Sequence, residues 1–299
     1  WDGLGRMLEV GCGSGALSIA AAKRFPLAEM QGIDYWPPMW NYGQAQCEAK
    51  NHALLLADAN LEASTNAIIN STYGCAGMRC MALPVVCVEE SIADAFVALL
   101  KKKAEALTIG CAYKEETQLG PVVNAGHKQK VSDWIQKGVD EGATLVLDGR
   151  KTVVKGYENG FFVGPTILDH VKPGMTVGDQ EIFGPVTCIK RVKNYEEGIR
   201  IMNANPFANG SCIFTSSGYY ARKFVMDTDG GMVGVNVGIP VPSAYYPFSG
   251  NKDSFFGDLH VLGKDGVQFF TRAKTVTTHW FDEEAGKRVV GTWEGSTEQ

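Results

Sequence analysis

Short apolar runs alternate with helix-period stretches along most of the chain, and this alternation constrains the fold more than any other feature. A strand that returns parallel to its neighbour needs a crossover, usually a helix, so repeated strand-helix units predict an α/β fold with a parallel sheet. Residues 6–10 read as a strand, 16–25 as a helix and 30–34 as a second strand. Pro37-Pro38 breaks the chain, a helix follows toward Lys50, and residues 52–57 are again a strand. After Asp58-Ala59-Asn60 a long helix is predicted to about Gly77, then a strand over 83–88 and a helix over 91–106. Asn124 is placed to cap a helix over 128–141, with Gly142 just past its end. Residues 143–147, 211–215 and 232–237 read as strands, 195–204 as a helix, and 282–299 as a loose polar tail.

A length of 299 residues with 45% apolar and 20% charged residues fits about two globular domains. The net charge of -5 offers no basic stripe for a nucleic acid. No apolar run approaches the ~18 residues of a membrane span. The first residues form a strand-turn-helix pattern instead of a secretory signal, and a chain opening at Trp1 reads as a piece of a longer one. The eight cysteines are Cys12, Cys47, Cys75, Cys80, Cys87, Cys111, Cys188 and Cys212. None forms a C-x-x-C pair or joins a His cluster at zinc spacing, so no metal site is predicted. Their scatter fits thiols in a reducing compartment, the cytoplasm or, in a eukaryote, the mitochondrial matrix.

Leu8-Glu9-Val10-Gly11-Cys12-Gly13-Ser14-Gly15 sits where a strand turns into a helix. Glycines there let the backbone approach a ligand at the helix N-terminus. Asp34 ends the next strand, where a carboxylate can accept from ribose hydroxyls. Gly11, Gly13 and Ala16 also fit a nicotinamide-type turn, and a tight turn without ligand is a further reading. Glu9 before Gly11, Gly13 and Gly15, with Ile33-Asp34-Tyr35-Trp36 beyond, resembles motif I of class I S-adenosylmethionine methyltransferases. That resemblance covers one Rossmann-like β-α-β unit, residues 1–48, and implies S-adenosylmethionine as a candidate ligand.

From Ala49-Lys50-Asn51-His52 onward the chain changes character. Gly77-Met78-Arg79-Cys80-Met81-Ala82-Leu83 resembles the nucleophile motif of aldehyde dehydrogenases. Gln180-Glu181-Ile182-Phe183-Gly184-Pro185-Val186 resembles their second cofactor motif, and Asn205-Pro206-Phe207-Ala208-Asn209-Gly210 a third. The runs Gly234-Val235-Asn236-Val237, Ile239-Pro240-Val241-Pro242, 248–258 and 266–275 narrow the resemblance to the coenzyme-A-acylating methylmalonate-semialdehyde dehydrogenases. That family makes propionyl- or acetyl-coenzyme A from a small semialdehyde by oxidative decarboxylation, using NAD and free coenzyme A.

The resemblance implies that Cys80 is the nucleophile, with its own backbone N–H at the oxyanion. Arg79 would depress the thiol pKa or hold a substrate carboxylate bidentately. Glu181 would bind the nicotinamide ribose, Phe183 would pack beside the nicotinamide, and Phe248 would line the substrate pocket. Asn236 is a weaker candidate that fits a turn equally well. Residues 49–256 would form the catalytic domain. Residues 257–299 would add a C-terminal return and a tail, with 274–280 an edge strand pairing between subunits of a homo-oligomer.

The family's N-terminal part, with most of the NAD-binding domain and a side-chain asparagine of the oxyanion hole, has no counterpart here. Four residues before Lys50, where hydrolytic relatives have a glutamate, the chain has Gln46, which cannot act as a general base. The residues thus leave open a dehydrogenase half that is inactive alone, a methyltransferase fragment, and a non-catalytic fusion.

Overall fold

The computed structural model describes residues 6–9, 29–32, 50–255, 257–278 and 280. Strands β1 (Arg6–Glu9) and β2 (Glu29–Gly32) pair in parallel, as a β-α-β unit requires. Gly11, Gly13, Gly15, Asp34 and Gln46 lie outside the described residues.

The main body is one seven-stranded sheet. Its strands are β3 (His52–Leu55), β4 (Val85–Glu89), β5 (Thr144–Leu147), β6 (Thr166–Asp169), β7 (Val186–Val192), β9 (Gly210–Phe214) and β10 (Met232–Val235). The order across the sheet is β10-β9-β3-β4-β7-β6-β5. All neighbours are parallel except β5 and β6. The sheet is therefore parallel, as expected, except for the antiparallel edge strand β5. Two-residue strands β8 (Phe207–Ala208) and β11 (Asn251–Lys252) form a separate antiparallel pair.

Alternation along the central strands explains the layers. Ala53 and Leu55 of β3 join one core cluster, whereas Leu54 and Leu56 join another. The first is filled by Ile68 of α1 (Leu61–Tyr73), Phe96 and Leu100 of α2 (Glu90–Glu105), and Val131 and Ile135 of α3 (Ala125–Asp140). The second holds Tyr195 and Ile199 of α5 (Tyr195–Ala204) and Phe224 of α6 (Gly218–Asp227). A short α4 (Thr176–Asp179) precedes β7, and α7 (Gly263–Phe269) lies near the end of the described chain. This is the α/β architecture expected from the sequence.

Several ends fall where capping chemistry puts them. Asn60, Asn124 and Asn194 each accept a backbone N–H from the first turn of α1, α3 and α5. Helix α1 stops at Tyr73, short of the expected Gly77, and a 3-10 turn over Gly74–Gly77 follows. Residues 274–278 and 280 form no strand, and Val276 and Trp280 are exposed. A strand needs a pairing partner, and among the described residues no strand pairs with that segment.

Candidate active site

The nucleophile loop begins in a left-handed stretch. Cys75 (φ 52°), Ala76 (φ 54°) and Gly77 (φ 70°) reverse the chain after α1. The helix end is fixed from below, because the Tyr73 hydroxyl accepts from Thr187 Oγ1 at 2.8 Å and donates to the Thr166 carbonyl at 3.3 Å. Cys80 then lies in the loop between this turn and β4, exposed on the surface.

The loop is held from two directions. A Cβ on Gly77 would stand 2.1 Å from the Gly184 carbonyl oxygen, so the nucleophile loop packs directly on the loop that carries Glu181 and Phe183. On the other side, the Asn51 amide donates to the carbonyls of Cys80 (2.7 Å) and Ala82 (2.8 Å). Asn209 Nδ2 donates to the same Cys80 carbonyl at 2.8 Å. Asn51 Oδ1 in turn accepts the Gly210 N–H at 2.7 Å. The structure therefore brings the three sequence motifs together at the 77–83 loop, with Gly184 at Gly77 and Asn209 at Cys80. Neither Asn51 nor Asn209 stands out as a site residue in the sequence, although both lie in stretches that the resemblance marks.

Phe183 adopts a left-handed conformation (φ 59°), with its ring exposed beside half-buried Glu181. His127, in the first turn of α3, is 2.7 Å from the Phe183 carbonyl through Nε2 and holds that strained residue in place. Behind this loop Lys50 is wholly buried, its Nζ donating to the Val177 carbonyl at 2.9 Å. Burial pushes the Lys50 pKa down, partly opposed by Cys188, Glu181 and Asp179. Burial also holds His52 well below the usual imidazole range, aided by Lys190 and Lys50.

Arg79 is half-buried, its guanidinium lying across Gly74 and donating to the Asn70 carbonyl at 3.0 Å. It thus covers the end of α1 while standing next to Cys80 in the chain. Phe248 is half-buried and bridges to Val261. Its segment is stapled to the third motif, because Ser249 donates to Gly231, whose N–H donates to Ala208. Asn236 (φ 56°) exchanges two 3.0 Å hydrogen bonds with the backbone of Thr215, which is a turn-fixing role. An open cleft of about 420 Å³ runs along the β10 edge, and none of Arg79, Cys80, Glu181 or Phe183 lines it.

Accessibility separates the thiols. Cys87, Cys188 and Cys212 are buried, and burial raises Cys87 and Cys212 to about 12. Among the described residues, Cys75 and Cys80 are the exposed cysteines, and Cys111 is intermediate. Cys12 and Cys47 lie outside the described residues.

The aldehyde dehydrogenase family model matches residues 42–276. A malonate-semialdehyde dehydrogenase from Oceanobacillus iheyensis is 52% identical over 237 residues, covering 79% of this chain and 49% of the relative. One from Halalkalibacterium halodurans is 46% identical over 237 residues, covering 79% and 48%. The solved methylmalonate-semialdehyde dehydrogenase of Oceanimonas doudoroffii is 35% identical with a TM-score of 0.78, covering 94% of this chain and 55% of that one. A Sinorhizobium meliloti protein described by the same activity and complexed with NAD is 37% identical, TM-score 0.79, covering 93% and 54%. The chain spans about half the length of these relatives. With the family model matching residues 42–276 of 299, this chain belongs to the aldehyde dehydrogenase family.

Proposed function

We propose that these residues carry the nucleophile half of a coenzyme-A-acylating malonate- or methylmalonate-semialdehyde dehydrogenase, with Cys80 as the nucleophile. The observation that carries this reading is the packing of the second and third motifs on the 77–83 loop, through Gly184 at Gly77 and Asn209 at Cys80, with Cys80 exposed while Cys87, Cys188 and Cys212 are buried.

In this mechanism the Cys80 thiolate attacks the aldehyde carbon, and its backbone N–H faces the developing oxyanion. NAD, when bound, supplies the hydride acceptor. The fit of the nicotinamide end rests on Phe183, whose exposed ring is presented by a backbone tied to His127, with Glu181 adjacent for a ribose hydroxyl. Arg79, adjacent to Cys80, is the candidate for the substrate carboxylate, and Phe248 for the pocket wall. The Cys80 thioester loses the substrate carboxylate as CO2 and passes the remaining acyl group to the coenzyme A thiol, which frees the Cys80 thiolate; the names of the relatives fit this reaction.

The proposed units are 1–48, 49–256 and 257–299, although the family match begins at residue 42, inside the first. The parallel pairing of β1 and β2 supports a Rossmann-like first unit. Gly11, Gly13, Gly15 and Asp34 make S-adenosylmethionine its candidate ligand, to be tested by calorimetry on Asp34→Ala. We assign residues 274–280 to contacts between subunits of a homo-oligomer, supported by the exposed Val276 and Trp280. A cytoplasmic setting, or the mitochondrial matrix in a eukaryote, accords with cysteines left as thiols.

The test is protection of the thiol by substrate. Malonate semialdehyde should slow alkylation of Cys80 without NAD, because thiohemiacetal formation needs no oxidant. Equal labelling of Cys80 with and without the aldehyde would refute the assignment.

A further inference from the structure

We propose that Asn51 and Asn209 are positioning residues that set the reactivity of Cys80 by clamping its backbone carbonyl between two buried side-chain amides. This rests on the reading of Cys80 as the nucleophile. Cys80, Met81 and Ala82 precede β4, which begins at Val85, so no sheet ladder fixes them. Asn51, next to the first residue of β3, takes the place of a ladder partner by donating to the Cys80 and Ala82 carbonyls at 2.7 and 2.8 Å.

The acceptor side of the same amide is equally engaged. Asn51 Oδ1 receives the Gly210 N–H at 2.7 Å and Asn209 Nδ2 at 3.2 Å. Both N–H donors and both lone-pair directions of Asn51 therefore have partners, which fixes the orientation of the amide. Asn209 adds its own 2.8 Å bond to Cys80 O and touches Met81 Sδ at 3.1 Å. The two residues are 1% and 6% exposed, so water does not compete for these bonds. Nor can the cluster loosen easily, since a Cβ on Gly210 would meet Met81 Cε at 2.7 Å and Asn51 Oδ1 at 3.1 Å.

The consequence is geometric. Two donors on one carbonyl oxygen fix the plane of the Cys80–Met81 peptide, and with it the direction in which Sγ leaves the backbone. A side chain held this way meets its partner at a set distance and angle, where small displacements cost rate steeply. Cys75 is exposed in the same loop region, and its carbonyl accepts only a turn bond from the Met78 N–H, so it serves as an internal reference.

The experiment labels the full chain with iodoacetamide and follows Cys80 and Cys75 separately by mass spectrometry across a pH series. In Asn209→Leu, which leaves the Asn51 amide donating to the Cys80 and Ala82 carbonyls but removes the Asn209 donor from Cys80 O and from Asn51 Oδ1, Cys80 should react about tenfold more slowly with a shifted pH midpoint. Cys75 labelling and the melting temperature should stay near wild type, and Asn209→Gln should recover part of the rate. A folded Asn209→Leu chain whose Cys80 rate and pH midpoint match wild type overturns the proposal. Should Asn209→Leu not fold, carbonyl-13C cysteine in the wild-type chain decides. The Cys80 carbonyl resonance should lie downfield of that of Cys75, and a coincident or upfield position overturns the clamp. Wild-type Cys80 no faster than Cys75 would instead refute the nucleophile assignment itself.

Discussion

Gly77 and Gly184 meet backbone to backbone: a Cβ on Gly77 would lie 2.1 Å from the Gly184 carbonyl oxygen and 2.4 Å from its carbon. The contact joins the turn before Cys80 to the loop that presents Phe183. Neither backbone can yield as a flexible side chain could. Gly77 also has φ 70°, where an L side chain is strained.

Gly77→Ala should therefore cost stability by about 2 kcal/mol or more, combining left-handed strain with the displacement of one loop. Denaturant unfolding measures the loss. An alanine variant with an unchanged midpoint would mean that the two loops are not in contact.

His127→Ala removes the side chain that holds the Phe183 carbonyl, and one such hydrogen bond contributes about 1 kcal/mol. Amide hydrogen exchange in residues 181–184 should accelerate, whereas protection of β7 should not change. Uniform acceleration across both segments would show that His127 supports the fold at large and not this loop.

His52 gives a pH signature. Its folded pKa lies well below 6.5, chiefly through burial and then through Lys190 and Lys50. The unfolded chain takes up a proton near 6.5 that the folded chain refuses. The associated stability is complete above that pH and is lost as the pH falls below it toward the depressed folded value. His52→Asn should therefore lose less melting temperature between pH 7.5 and 5 than wild type. Parallel curves for the two proteins would show that His52 does not stay neutral in the fold.

The sequence makes some elements plain and hides others for physical reasons. Helix α5 is readable at its observed bounds because Asn194 caps it and Glu196 and Glu197 follow in its first turn. Strand β7 escapes notice because Thr187, Lys190 and Arg191 interrupt its apolar run. Thr187 is buried against the Tyr73 hydroxyl, and Lys190 is buried against Asp179 at 2.8 Å. Strand β6 carries Asp169, buried and paired with Arg191 at 2.8 Å, so its polarity is also matched only in three dimensions. The motifs around Cys80, Glu181 and Asn205 are local and therefore visible. The bond between Asn51 and Asn209 spans 158 positions, and no sequence spacing announces it.

Turnover tests the account most directly. These residues cover about half the length of the relatives, and the proposed cofactor residues Glu181 and Phe183 are assigned only to the nicotinamide end. The 299-residue chain alone should produce no measurable NADH from malonate or methylmalonate semialdehyde with saturating NAD and coenzyme A. The same catalytic segment joined to the N-terminal half of the Oceanobacillus iheyensis relative should produce NADH, and Cys80→Ser in that fusion should abolish it. Loss of at least about a thousandfold in the serine variant is the expected result. A Cys80→Ser fusion that keeps turnover within tenfold of its parent would contradict the assignment of Cys80 as the nucleophile.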